Sequence, residues 1–312
     1  MRWGVCEEKA PVGYRGLSFQ KAYGILFIMS QSNYKKKSPA KNTKKKIIDG
    51  MYYNAGFLNG PSKEQLINEI EKFHPIWEER FSKSNPPPEG DTWRGLLRPV
   101  YWLGNWQFAC LDYFHPPHGL EHRCLRAEQF PPFMQKLVDQ IEAMTHKMAR
   151  NDVPKGWKLN TCLINYYGSK RDEAGQMQDL ARVGDHKDSE PGPVASISMG
   201  ERAMFQFVKG KAQDPKNVVH EMWLNDGSLL IFWSKRFKEE LFHRVQRVEA
   251  KGNRIFNDHL DDYETRRINL TFRYVPDQYI YPLSEMPREK VEDINPYLEK
   301  LAKYSEYFKN LV

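Results

Sequence analysis

The feature that most limits the possible folds is a change in hydrophobic period near residue 158. From Lys158 to Pro276, apolar and polar residues alternate with a period of two in short segments separated by turn residues. These segments are LNTCLINYY, PVASISMG, AMFQFV, GSLLIFW and RRINLTFRYV. Many short strands of this kind form a sandwich or a barrel. The sequence therefore predicts a mainly β core with flanking helices, an α+β arrangement.

The segments on either side of this core differ from it in composition. Residues 31–46 are basic and lack the apolar residues that a core needs, which predicts a disordered basic tail. Helical periodicity begins at a possible capping box at Ser62 and again at Pro132, and a terminal helix is predicted to open at Asn295. The predicted division is a tail over 1–46, a helical and aromatic extension over 47–157, the β core over 158–280 and a C-terminal helix over 281–312.

Charge and cysteine content narrow the class of protein. The net charge of +7 is matched by seven lysines between residues 35 and 46, so the total does not indicate a uniformly basic nucleic-acid-binding face. No apolar run approaches the roughly 18 residues of a membrane helix, and we expect no membrane partner. Four cysteines do not make a disulfide framework. The prediction is a monomer in a reducing compartment, the cytoplasm or, in a eukaryote, the nucleus.

The segment Arg267–Arg273 carries an unusual polar face. Because side chains alternate across a strand, Arg267, Asn269, Thr271 and Arg273 share one side. One interpretation is a sheet with one face in water. In a barrel or jelly roll the same face points inward, and two buried arginines then need an anion. A dicarboxylate ligand would satisfy both guanidinium groups.

A candidate metal site lies in the same half of the chain. His186 and Asp188 are two residues apart, which puts imidazole and carboxylate on one side of an extended segment. His243, after the GSLLIFW segment, is a candidate third ligand. Two histidines and one carboxylate form the facial set of non-haem Fe(II) oxygenases. A competing cluster, Cys110, His115, His118, His122 and Cys124, could hold zinc or form a surface loop.

Four blocks of this sequence resemble the AlkB-like Fe(II)/2-oxoglutarate-dependent dioxygenases: CLINYY, HKDSEPGPVASISMG, FQF and RINLTFR. The resemblance covers about Leu97 to Pro276. It implies a double-stranded β-helix (jelly roll) core preceded by an aromatic substrate lid. It implies His186, Asp188 and His243 on iron, as catalytic metal ligands. It also implies a 2-oxoglutarate site formed by Asn165, Tyr167, Arg267, Asn269 and Arg273.

The same resemblance implies where a substrate would bind. In the family an aromatic residue of the lid stacks on a flipped base, and Tyr101 or Trp102 could take that place, with Phe108 as a second aromatic. For any single one of these residues, a place in the core is the favoured alternative. Glu190 occupies a position two after the metal aspartate, where it is expected to read the base or to be an ordinary turn residue. The charged insert over 169–185 is expected beside the metal entrance.

The resemblance implies an enzyme that oxidatively demethylates N-alkylated bases of the 1-methyladenine and 3-methylcytosine type in DNA or RNA. Its cofactors would be Fe(II) and 2-oxoglutarate, and its products would be formaldehyde, succinate and CO2. An oxygenase acting on a protein side chain or a small molecule is the alternative, because fold does not determine substrate. An inactive nucleic-acid-binding scaffold is a third possibility.

Overall fold

The computed structural model describes residues 45–48, 50–116, 120–210, 215–256 and 259–312. The predicted tail lies outside this part of the chain, except that Lys45 and Lys46 belong to the first strand. The strands are β1 (Lys45–Ile48), β2 (Met51–Asn54), β3 (Val100–Leu103), β4 (Asn105–Gln107), β5 (Cys124–Arg126), β6 (Thr161–Arg171), β7 (Met177–Asp179), β8 (Val183–His186), β9 (Val194–Gly200), β10 (Ala203–Val208), β11 (Val218–Leu224), β12 (Ser228–Phe232), β13 (Phe242–Gln246), β14 (Tyr263–Arg273) and β15 (Ile280–Tyr281). The α-helices are α1 (Gly60–Ile70), α2 (Pro132–Met148), α3 (Arg288–Ala302) and α4 (Glu306–Lys309).

Two sheets form the core. The major sheet has eight strands, in the order β1-β2-β12-β9-β14-β6-β3, with β7 added beside β6. The minor sheet has four strands, in the order β11-β10-β13-β8. A third sheet of three short strands, β15-β5-β4, lies outside them. Two facing antiparallel sheets of this kind confirm the predicted jelly roll with flanking helices.

Alternation along the strands separates two apolar layers. On β12, Leu229 and Ile231 pack into the large cluster that also contains α1, α2 and α3, whereas Leu230 and Phe232 pack against the minor sheet. Strand β14 alternates in the same way, and its apolar residues lie in the large cluster. Its polar side, from Arg267 to Arg273, therefore faces the space between the two sheets. The prediction of a polar face that points inward is confirmed.

The helix boundaries differ from the sequence prediction at two places. The N-cap of α1 is Asn59, whose side chain accepts a hydrogen bond from the Ser62 backbone N–H at 2.8 Å, so Ser62 is not the cap. Helix α3 begins at Arg288, seven residues before the predicted Asn295, and contains Pro296. Pro287 precedes this helix with φ of −55°, a value suited to a helix start. The earlier start buries Ile294 together with Leu298 and Leu301.

The insert over 169–185 lengthens the major sheet. Strand β6 continues to Arg171, the chain turns, and β7 pairs back on it. Arg266 holds this hairpin to the sheet through ion pairs with Asp179 at 3.1 Å and Glu201 at 2.8 Å. Lys251 adds a further ion pair to Asp179. The insert therefore contributes to both sheets, with β7 in the major sheet and the first residues of β8 in the minor sheet.

The aromatic segment before the core is anchored by one buried carboxylate. Glu78 is fully buried and accepts hydrogen bonds from the indole N–H groups of Trp102 and Trp106, both at 2.8 Å to Oε1. The backbone N–H of Ala109 donates to Oε2, also at 2.8 Å. Three donors on one side chain fix β3, β4 and the turn after them relative to residues 76–79. Burial raises the pKa of Glu78 to about 7, against these hydrogen bonds, which lower it.

This raised pKa predicts a pH-dependent stability. The folded chain holds a proton on Glu78 up to about pH 7, whereas the unfolded chain releases it near the ordinary value of 4.5. The unfolding free energy therefore falls as pH rises through this window. Each pKa unit is worth about 1.36 kcal/mol. Raising the pH through this window should therefore lower the unfolding free energy of the wild type, relative to that of Glu78→Gln, by about 3 kcal/mol.

Urea unfolding of both proteins at several values between pH 4.5 and 8 measures this difference. The Glu89→Gln variant, at an exposed position, controls for the change from carboxylate to amide. A constant difference between wild type and Glu78→Gln would show that burial does not shift this carboxyl group.

Candidate metal centre

Three side chains that can bind a metal meet between the two sheets. His186 ends β8, Asp188 follows it by two residues, and His243 lies on the neighbouring β13, directly paired with His186. One ligand atom from each lies within 4.8 Å of the others, and this is the one group of three such residues found in the described part of the chain. The His243 Nε2 and Asp188 Oδ2 atoms are 3.2 Å apart. The cross-strand register thus brings together residues that are 57 positions apart.

A buried arginine keeps the carboxylate of this group charged. Burial alone would raise the pKa of Asp188, but Arg273 and His243 hold it well below its usual range. Arg273 donates from Nε to Asp188 Oδ1 at 2.8 Å, and its Nη2 lies 2.6 Å from the same oxygen. The other carboxylate oxygen, Asp188 Oδ2, faces His243. An ionised carboxylate with one oxygen directed towards the histidines is a suitable metal ligand.

The first histidine is neutral in the absence of a metal. Burial, followed by the nearby His243, lowers the pKa of His186 to about 3. The Nδ1 atom of His186 lies 2.8 Å from the Gly184 carbonyl oxygen, which orients the ring and leaves Nε2 for a metal. The two imidazole rings are 4.2 Å apart between centroids. Neutral imidazole is the form that binds a metal.

A cavity beside the metal group contains the predicted 2-oxoglutarate residues. All five of these residues line it: Asn165, Tyr167, Arg267, Asn269 and Arg273. The cavity wall also includes the three metal-binding side chains. The Asn165 and Asn269 positions are directly paired between β6 and β14, as are Tyr167 and Arg267. The register of two neighbouring strands therefore builds most of this polar wall.

The side chains present fit Fe(II) and an anionic co-substrate. Arg267 is 2% exposed, and its Nη2 donates to Ser198 Oγ at 3.1 Å, while its Nε and Nη1 have no hydrogen-bond partner. Burial lowers the pKa of Arg267. A buried guanidinium with unused donors is costly unless an anion binds to it. Arg273 Nη1 is also without a partner, on the side nearer the metal group.

The structure adds three residues that sequence reasoning missed. Arg98 and Tyr113 line the cavity. Lys238 is buried near Asp188 and Glu190, and burial lowers its pKa. Arg98 lies two residues before Val100, which pairs with Asn165, so continued alternation along β3 would have placed Arg98 on the cavity side. The strand pairing itself could not be read from the sequence.

The aromatic residues predicted to contact a substrate lie in the core. Tyr101 donates to Glu128 Oε2 at 2.6 Å and stacks on Phe73, while Trp102 is bound to Glu78. Phe108 is fully buried and stacks on Trp106 at 4.2 Å between ring centroids. None of the three predicted residues is among those that line the cavity. Of the two interpretations, their placement favours packing, and their contact with a substrate remains a prediction.

Glu190 lies behind the metal group. It is 3% exposed and accepts a hydrogen bond from Gln107 Nε2 at 2.7 Å, and its other oxygen is 3.6 Å from Arg273 Nε. It is not among the residues that line the cavity. These contacts give Glu190 a position from which it supports Arg273. Its reading of a base stays a prediction.

The alternative zinc cluster does not assemble in the described residues. Cys110 and Cys124 are buried, whereas His115 is exposed and lies 2.6 Å from Asp112. His118 lies outside the described residues. In the described segments, the one group of three side chains that could hold a metal is His186, Asp188 and His243, which includes neither cysteine.

A match to one protein-family model agrees with this geometry. A family model described as "2OG-Fe(II) oxygenase superfamily" matches residues 50–273. No curated protein matches the chain. Among solved structures, 86 chains match. One, described as "The structure of OsALKBH1", has 20% sequence identity and a TM-score of 0.46, covering 74% of this chain and 100% of that chain. In the described residues, no helix is both long enough and apolar enough to cross a membrane.

Proposed function

This chain belongs to the 2OG-Fe(II) oxygenase superfamily, and from that premise we propose that it oxidatively demethylates N-alkylated bases in DNA or RNA. It is a dioxygenase that uses Fe(II) and 2-oxoglutarate. The observation that carries the proposal is the group of half-buried His186 with buried Asp188 and His243, beside a cavity with an unsatisfied Arg267. Bound Fe(II) and 2-oxoglutarate supply the oxidation of a substrate C–H bond by O2, which converts 2-oxoglutarate to succinate and CO2.

The residues of the chain have distinct parts in this proposal. His186, Asp188 and His243 would hold Fe(II), and Arg273 keeps Asp188 ionised and in place. Arg267 would bind the far carboxylate of 2-oxoglutarate, with Asn165, Tyr167 and Asn269 around it. The apolar side chains of Leu163, Phe205 and Phe232 limit the water in the cavity. Oxidation of an N-methyl group to N-hydroxymethyl then releases formaldehyde and restores the base.

The choice of nucleic acid as substrate rests on the resemblance of four sequence blocks to AlkB-like enzymes. The basic segment over 31–46 supports it, since clustered lysines attract phosphate backbones. The three cysteines of the described part of the chain are free, which supports the expected cytoplasmic or nuclear location. An oxygenase acting on a protein side chain or a small molecule remains the alternative.

The test compares succinate and formaldehyde release with several substrates under Fe(II) and 2-oxoglutarate. We expect single-stranded oligonucleotides that contain 1-methyladenine or 3-methylcytosine to raise succinate formation above the substrate-free rate, with matching formaldehyde. The unmethylated oligonucleotide is the substrate control, and His186→Ala is the enzyme control. Succinate formation that no methylated oligonucleotide stimulates would contradict the proposed substrate while leaving the oxygenase assignment intact.

A further inference from the structure

Three side chains form a row across neighbouring strands at one end of the cavity. Arg267 on β14 is paired with Tyr167 on β6, and Arg98 lies beyond Tyr167, just before β3. The guanidinium carbon of Arg267 lies 4.7 Å from the centroid of the Tyr167 ring, and that of Arg98 lies 5.4 Å from it. One aromatic ring therefore contacts two cations. Arg98 also donates from Nε to Asn165 Oδ1.

Carboxylates act on the two cations of this row only through electrostatic attraction, Glu78 on Arg98 and Glu201 on Arg267. Arg98 is 8% exposed and Arg267 is 2% exposed. The hydrogen bonds described for their side chains go to neutral groups, the Asn165 carbonyl oxygen and the Ser198 hydroxyl. In the described part of the chain neither arginine forms an ion pair, whereas the third arginine of the cavity, Arg273, is paired with Asp188.

Two like charges in a buried cavity repel each other and lose hydration. Burial lowers the pKa of Arg267 and the charge of Arg98 adds to this, against Tyr167 and Glu201, which raise it. A sheet retains such an arrangement at a cost in stability, and that cost is offset when an anion binds in the cavity near the charged groups. A carboxylate has about four lone-pair sites and can accept hydrogen bonds from more than one donor.

We propose that Arg98 is a second cationic residue of the 2-oxoglutarate site, which orients Asn165 and Tyr167 and adds a positive charge that acts on the far carboxylate. The inference rests on the proposed role of Arg267 and does not depend on the primary substrate. Arg267 supplies the direct contact, and Arg98 increases the preference of the cavity for a dianion over a monoanion. Arg98 is thus a residue that determines co-substrate specificity.

The test measures binding without turnover. Calorimetry with Mn(II) in place of Fe(II) gives the Kd of 2-oxoglutarate and of 2-oxopentanoate, a five-carbon 2-oxo acid that lacks the second carboxylate. We expect Arg98→Gln to weaken 2-oxoglutarate binding at least about 10-fold, because a charge near the ligand is lost in a cavity of low dielectric. Binding of 2-oxopentanoate should stay unchanged, and Arg98→Lys should keep most of the affinity for 2-oxoglutarate.

Two controls separate this proposal from its alternatives. Arg288→Gln, at an exposed arginine paired with Glu292, should leave both Kd values unchanged. Unchanged 2-oxoglutarate binding in Arg98→Gln, or an equal loss for both ligands, would overturn the inference. Arg267→Ala is measured in parallel. A loss there with no effect at Arg98 overturns the role of Arg98 alone, whereas no effect at either position overturns the co-substrate assignment itself.

Discussion

Replacing His186 with alanine should abolish succinate formation while leaving the fold intact. A facial site of three ligands has no spare ligand. Changes to residues that merely support metal ligands already lower metal affinity or activity by about 10-fold to 100-fold. We therefore expect a loss of more than about 100-fold in succinate formation at a fixed Fe(II) concentration. Calorimetric Mn(II) titration should show the same loss in metal affinity. His186 suits this test because its described hydrogen bond, to the Gly184 carbonyl, is local.

The companion variant Asp188→Ala should behave differently. It also removes a metal ligand, but it leaves Arg273 buried without its closest partner. Breaking a buried ion pair from one side costs about 3–5 kcal/mol, so this variant should unfold more easily. His115→Ala is the matched control, since His115 is exposed and is not among the residues that line the cavity. Near-normal turnover in His186→Ala would show that the metal assignment is wrong.

Replacing Arg267 with alanine should weaken 2-oxoglutarate binding by about 100-fold to 5,000-fold. This range corresponds to about 3–5 kcal/mol for removing one buried partner of a carboxylate. Arg267→Lys should lose less, because lysine keeps the charge and loses the two-pronged geometry. Without the ligand, Arg267→Ala should be no less stable than the wild type, since the unused donors of Arg267 are a cost in the free protein.

Replacing the neighbouring residue, Arg266, should have the opposite effect, and this variant serves as the control. Arg266 points away from the cavity and forms ion pairs with Glu201 and Asp179. Arg266→Ala should lower the unfolding temperature and leave the Kd of 2-oxoglutarate unchanged. Thermal unfolding with and without 2-oxoglutarate and Mn(II) measures both quantities. Equal small effects at Arg267 and Arg266 would mean that the polar face of β14 does not bind the co-substrate.

The contrast between these two arginines shows where sequence reasoning succeeds. Alternation in Arg267–Arg273 is a local property, and it correctly predicts which side chains share the inner face. The same alternation places Arg266 on the opposite side, and a register shift between Thr265 and Arg267 interrupts the pairing with β6 at this point. Gly168 permits this shift, because a Cβ atom there would lie 1.8 Å from the Glu264 carbonyl oxygen. Such a shift depends on how the two strands pair, so the hydrophobic pattern of neither strand reveals it.

Long-range pairing explains why Arg98 was missed and why the predicted aromatic residues pack in the core. Arg98 reaches the cavity because β3 adds to the edge of β6, a pairing between segments 65 residues apart. Trp102 is held in the core because Glu78, 24 residues earlier, accepts its indole N–H. An aromatic side chain in a lid and one in a core look alike in a sequence. The partner that decides between them lies elsewhere in the chain.

The anchoring of the aromatic segment by Glu78 bears on the rate at which a ligand can bind. Because three hydrogen bonds to one buried side chain hold it, this segment is already ordered before a ligand binds. Its ordering entropy is already lost in the free protein, so the ligand alone bears the remaining entropic cost of association. For a base in a nucleic acid, the slow event would then be its own departure from the stack. We expect flexible single strands to associate faster than duplexes for this reason.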